Sequence, residues 1–192
     1  MSKVIFFEGP DGCGKTNIAN AIADELDVPY FKVSTERSNW VNENFHNSIP
    51  FDMLLPEFVK QTGVSFISDR GYASEIVYSE VFDRFTDEAR LWGIDREWGE
   101  MDAIQVIALR HDYSCVDDEF VAQEKLQYLH EKYVKFSMET RCHVISLHVD
   151  DYNDSLEEQV PVITKAVKDI WYPERNDSRP PGVSLRPKRI RL

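Results

Sequence analysis

The stretch that leaves this chain the fewest choices of fold is Gly9-Pro10-Asp11-Gly12-Cys13-Gly14-Lys15-Thr16. An apolar run, Val4-Ile5-Phe6-Phe7, precedes it, and Ile18, Ala19, Ile22, Ala23 and Leu26 follow at helical spacing. The order is therefore strand, glycine-rich turn, helix start. Gly9, Gly12 and Gly14 let the backbone take positive φ and bring its N–H groups up to phosphate oxygens. The helix start adds unpaired donors and the positive end of its dipole. In that setting the backbone from Asp11 to Gly14 cradles the phosphates of a nucleoside triphosphate. Lys15 reaches the β- and γ-phosphates, and the Thr16 hydroxyl holds Mg²⁺.

The remainder alternates strands and helices. Helix one ends near Asp27, because Val28-Pro29 disfavours more helix, and Tyr30-Phe31-Lys32-Val33 reads as a second strand. After a polar loop, Phe51, Leu54, Leu55, Phe58 and Val59 form a helical apolar stripe that Gly63 closes. Val64 to Ser68 is a third strand ending on Asp69-Arg70. Helical stretches over 74–84 and 86–99 lead to an apolar strand, Ala103 to Leu109, whose composition suits burial on both faces. A polar, acidic segment follows (His111 to Phe120), then a helix over 121–140, a fifth strand over 142–149 and a helix over 156–171. This order predicts a three-layer α/β/α domain over 1–171, with a five-stranded parallel sheet and a lid at about 110–121. Residues 172–192 read as a basic, Pro-rich C-terminal tail, with six basic and two acidic residues.

The net charge of −12 argues against a nucleic-acid-binding surface. No apolar run approaches the roughly 18 residues of a membrane span, and no signal-peptide core follows the start. Three cysteines without a CxxC spacing fit a reducing, cytoplasmic setting with no zinc site. His46, His111, His130, His143 and His148 show no ligand spacing, and the four tryptophans read as packing. Cys13 reads as a small filler within the phosphate loop.

Ligands of parallel sheets bind at the carboxyl ends of the strands. The phosphate loop, the residues after Val33, the pair Asp69-Arg70 and Arg110 thus fall along one rim. Asp69 can hold Mg²⁺ through water, and Arg70 can clamp a phosphate with its planar fork. The plainer alternative is an Asp–Arg pair that caps the next helix.

Ile67-Ser68-Asp69-Arg70-Gly71-Tyr72-Ala73-Ser74-Glu75-Ile76-Val77-Tyr78 resembles the signature of the thymidylate kinases. The phosphate loop from Phe7 to Thr16 is similar to theirs too. The resemblance, shared in layout with deoxynucleoside kinases, implies transfer of the γ-phosphoryl group of ATP to a deoxynucleoside monophosphate, with Mg²⁺. It places Asp11 on the sugar 3′-hydroxyl, Lys15 and Thr16 on ATP and metal, Asp69 on metal-bound water, and Arg70 on the acceptor phosphate. Tyr72 or Tyr78 would line the deoxyribose, and Phe51 or Phe58 would stack on the base; Phe58 is equally explicable as core. A homodimer is implied as well.

The chain departs from that pattern at three places. Gly71 separates Asp-Arg from the aromatic, and neither the phosphate loop nor the segment 111–120 contains an arginine, which leaves Arg110 at its edge as the candidate for transition-state charge. After the second strand the order is Thr35-Glu36-Arg37, with Arg37 a candidate for the acceptor phosphate. Two other functions stay open. One is a deoxynucleoside kinase, with Glu36 as the base for a 5′-hydroxyl; the other is an ATP-binding switch without useful turnover. No Asn-Lys-x-Asp guanine motif is present, which disfavours a GTPase.

Overall fold

The computed structural model describes residues 2–32, 49–114, 116, 121–149, 156–172 and 187–192. Its strands are β1 (Val4–Glu8), β2 (Tyr30–Lys32), β3 (Phe66–Asp69), β4 (Ile104–Leu109), β5 (His143–His148) and β6 (Arg189–Arg191). They form one sheet in the order β2-β3-β1-β4-β5-β6, with every neighbouring pair parallel. β1 and β4 are buried along their whole length, as a strand covered on both faces must be. The described helices are α1 (Lys15–Leu26), α2 (Ile49–Thr62), α3 (Tyr72–Val81), α4 (Glu88–Glu100), α5 (Gln123–Glu139) and α6 (Leu156–Trp171). None of them is long and apolar enough to cross a membrane.

Two groups of helices flank the sheet: α1 packs on α6, while α4 packs on α2 and α3, and α3 on α5. Helix α1 buries Ile18, Ala19, Ile22 and Ala23 and stops where Asp27 turns left-handed at φ 52°. Its termination just before Val28-Pro29 follows from the steric limits proline sets on its predecessor. Helix α4 starts on Asp87, whose side chain accepts the Arg90 N–H. Side chains alternate across a strand, so Phe6 and Glu8 share one face of β1. Phe6 there meets Trp98 edge-on at 5.2 Å and Tyr72 at 5.7 Å, an aromatic cluster that ties β1 to α3 and α4.

The sheet has six strands where five were expected. Part of the tail supplies the sixth: β6 lies beside β5, with Ile145 opposite Ile190. The Arg189 guanidinium donates to the carbonyls of Cys142 (3.1 Å) and Thr140 (2.8 Å), and the Lys188 N–H donates to His143 Nδ1 at 2.8 Å. These bonds satisfy carbonyls at the start of β5 and fix the strand despite its single apolar residue.

Candidate active site

The phosphate loop has the conformation its glycines predict. Gly9, Gly12 and Gly14 all sit at positive φ, and a Cβ on Gly9 would lie 2.0 Å from the Ala108 carbonyl oxygen. Gly14 leads directly into α1. Lys15 is buried, and its ammonium donates to the Pro10 carbonyl at 2.5 Å across the loop. Burial, with the nearby Arg70 charge, pulls that ammonium down to about 8. Cys13 is fully buried, with Sγ 3.7 Å from the Tyr113 hydroxyl, and burial pushes its thiol up.

At the tip of β3, beside the loop, Asp69 Oδ2 accepts from the Thr16 hydroxyl at 2.6 Å and from the Tyr30 hydroxyl at 3.1 Å. The Lys32 ammonium donates to Thr16 Oγ1 at 3.2 Å and lies 3.8 Å from Asp69 Oδ2. Thr16 and Asp69 present hard oxygens at one point, a donor set that fits Mg²⁺ completed by phosphate and water. Among the described residues no group of three or more His, Cys, Asp or Glu could hold a metal.

Arg70 faces the same loop. Its Nη1 donates to the Gly9 carbonyl at 3.4 Å and to Ser74 Oγ at 3.1 Å. Its Nη2 donates to Asp11 Oδ1 and, at 3.0 Å, to the Tyr78 hydroxyl. Tyr78 in turn donates to Asp11 Oδ2 at 2.8 Å, which closes a triangle of three side chains. Burial opposes the charge on Asp11, but Arg70 and Lys15 outweigh it and hold the carboxyl below its usual range. The guanidinium sits on a backbone at φ 73°, a conformation that a residue with a side chain holds only when its surroundings impose it.

Arg110 is buried at the end of β4. It donates from Nη1 to the Gly12 carbonyl and from Nε to the Asp112 carbonyl, both at 3.2 Å. The described part of the 110–121 segment packs on the phosphate loop: a Cβ on Gly12 would fall 2.6 Å from Val116 Cγ1. The Tyr113 hydroxyl accepts the Arg110 N–H at 3.2 Å.

Four expectations meet a different geometry or none. Tyr72 is turned into the core, where its hydroxyl donates to Asp95 at 2.7 Å and accepts from Gln105 at 2.9 Å, so it does not wall a sugar through that hydroxyl. The cause is local. A Cβ on Gly71 would lie 2.7 Å from Phe6 Cδ1, so no aromatic fits directly after Arg70, and the next position begins α3 facing inward. Phe58 is 55% exposed, so it is not part of the core. On α2, Asp52 and Leu55 line a small cavity of about 10 Å³ next to Arg70. Arg37 and Glu36 lie outside the described residues.

Other residues join the site without a role read from sequence. Glu8, wholly buried at the end of β1, accepts from the Gly71 N–H (2.7 Å), Ser74 Oγ (2.6 Å) and the Tyr133 hydroxyl (3.1 Å). Its signal was a lone charge closing an apolar strand. Tyr133, on α5, carried no signal beyond an apolar stripe.

The segment 5–48 matches the model of the family "ATPase family associated with various cellular activities (AAA)". Over 30 residues the chain is 63% identical to Cell division control protein 48 homolog C of Arabidopsis thaliana and 57% identical to Ribosome biogenesis ATPase RIX7 of Saccharomyces cerevisiae. Each match covers 16% of this chain, and the chain spans about 4% of the length of these relatives. Similarity of structure extends much further. The YorR protein of Bacillus subtilis, solved with phosphorylated GDP, superposes with a TM-score of 0.63 at 24% identity, covering 86% of this chain and 96% of that one. Thymidylate kinase from Candida albicans gives 0.53 at 14% identity, over 87% and 91% of the two chains. Deoxyadenosine kinase from M. mycoides gives 0.50 at 16%, over 88% and 100%. This chain shares its fold with these three solved structures over most of its length.

Proposed function

We propose that this chain is an ATP-dependent nucleotide kinase that passes the γ-phosphoryl group of ATP to a deoxynucleoside monophosphate. The observation that carries this reading is the placement of Arg70: its guanidinium donates to Gly9 and Asp11, both on the phosphate loop. A donor cradle and an acceptor arginine therefore face one crevice, the arrangement that phosphoryl transfer between two anions needs.

In this reading the loop amides and Lys15 hold the donor phosphates, and Arg70 orients the acceptor phosphate in line with them. Asp11 and Tyr78 keep the guanidinium aimed and present oxygens to a sugar hydroxyl. Thr16 and Asp69 would hold Mg²⁺, which neutralises phosphate charge when bound. Arg110, anchored to Gly12, supplies the arginine that the loop and the 111–120 segment lack. No general base is required, because a phosphate monoester is already nucleophilic near neutral pH. The AAA similarity ends at residue 48, before Arg70, Tyr78 and Tyr133, and a reading built on it leaves their network without a task.

The test is ADP release from Mg-ATP against a panel of deoxynucleoside monophosphates and the matching nucleosides. Stimulation by a monophosphate alone supports the reading. Stimulation by a nucleoside alone converts it to a deoxynucleoside kinase, and ATP binding without acceptor-stimulated turnover removes it.

A further inference from the structure

Both oxygens of Glu8 are engaged, and two of its three donors belong to the segment that carries Arg70. Gly71 is the next residue, and Ser74 Oγ both donates to Glu8 (2.6 Å) and accepts from Arg70 Nη1 (3.1 Å). The left-handed turn at Arg70 is pinned on either side. The Arg70 N–H donates to the Phe7 carbonyl at 2.9 Å, and the Gly71 N–H donates to Glu8 at 2.7 Å. The groups facing the carboxylate are Arg70 from the β3–α3 turn, Ser74 from α3 and Tyr133 from α5, with Asp11 and Lys15 the next charges beyond Arg70.

We propose that Glu8 is the positioning residue for Arg70: as a carboxylate it holds Gly71 and Ser74 so that the guanidinium is aimed at the acceptor, and as a neutral acid it loosens that hold. This rests on the reading of Arg70 as the acceptor-phosphate arginine. All three neighbours now donate to Glu8. A proton on Oε2 would have to displace or reverse the Ser74 or Tyr133 hydroxyl, because a backbone N–H cannot turn round. The same proton removes the anion that Arg70 senses behind Ser74, leaving Asp11 as its remaining carboxylate. Burial raises the Glu8 carboxyl to about 7, which puts the change within the working range of pH.

The experiment compares wild type, Glu8→Gln, Ser74→Ala and Arg70→Lys between pH 5.5 and 8.5, with dTMP or the best monophosphate of the panel as acceptor. The acceptor phosphate itself titrates near pH 6, so the difference between wild-type and E8Q profiles is the measurement. The expected result is an acceptor KM about tenfold higher for E8Q at pH 8, the worth of one charge-assisted hydrogen bond, with the KM for ATP within about twofold. The wild-type rise in acceptor KM below about pH 7 should vanish in E8Q, leaving only the limb of the substrate. S74A should raise the acceptor KM in the same selective way, which decides the matter if E8Q does not fold. Wild-type acceptor KM and pH profile in E8Q, equal rises of both KM values, or an unchanged acceptor KM in S74A would overturn the proposal. R70K separates the two layers: an unaltered acceptor KM there removes the reading of Arg70 itself, whereas a large rise beside a silent E8Q removes only the role of Glu8.

Discussion

The Thr16 hydroxyl donates to the Asp69 carboxylate at 2.6 Å across 53 residues of sequence, so the phosphate loop and the tip of β3 share one oxygen-lined point. Asp69→Asn keeps the shape and removes the charge. It should raise the Mg²⁺ concentration for half-maximal turnover about ten- to hundredfold, as loss of a charged ligand implies. A magnesium titration at saturating ATP checks this. Because the Lys32 ammonium lies 3.8 Å from Asp69, Lys32→Met should shift the same midpoint the other way.

Asp11, Arg70 and Tyr78 form a closed set, so their substitutions should not add. Tyr78→Phe removes one donor to Asp11 and one acceptor for Arg70. Each single change should cost about 1.5–3 kcal/mol of acceptor binding. The double variant Asp11→Asn/Tyr78→Phe should lose less than the sum, a coupling that kcat/KM for the acceptor would reveal.

Glu8 also predicts a pH dependence of stability. Its carboxyl is raised from 4.5 to about 7 in the folded chain. The contribution is therefore fully present below the unfolded value and is lost as pH rises through the folded one. Between about pH 4.5 and 7, wild type should lose roughly 3 kcal/mol relative to Glu8→Gln. Denaturant unfolding of both proteins across that window measures it. An unchanged difference would mean that Glu8 stays ionised throughout.

Gly71 is required by its neighbour. Gly71→Ala places a methyl 2.7 Å from the Phe6 ring and should cost about 1–3 kcal/mol. Phe6→Leu in the same chain should recover part of that loss. A thermal-melt cycle of the four proteins tests the pairing, and additive losses would contradict it.

How much of this was legible in the sequence depended on the range over which each residue is determined. The strand–loop–helix around Lys15 is local: glycines, an apolar run and a 3.6-residue stripe specify it within 25 residues or so. Asp69 and Arg70 could be placed on the rim because strand ends in parallel sheets fall together. Tyr72 could not. A single inserted glycine decides whether the aromatic faces crevice or core, and the reason for that glycine is a ring on a different strand. Glu8 is held by Ser74 and Tyr133, 66 and 125 residues away, and neither spacing has a pattern. β6 was missed for the same cause. Arg-Ile-Arg carries almost no strand signal, and its pairing is supported by carbonyls 47 and 49 residues away, at the start of β5.

That short sixth strand has a consequence for how separate molecules behave toward one another. It occupies the outer ladder of β5, a mostly buried strand that would otherwise offer open backbone groups to any neighbour in solution. What is presented there instead is three residues long and flanks its one isoleucine with two arginines, whose like charges oppose edge-to-edge growth. Removing residues 187–192 should thus produce a protein that scatters light on standing before it measurably unfolds.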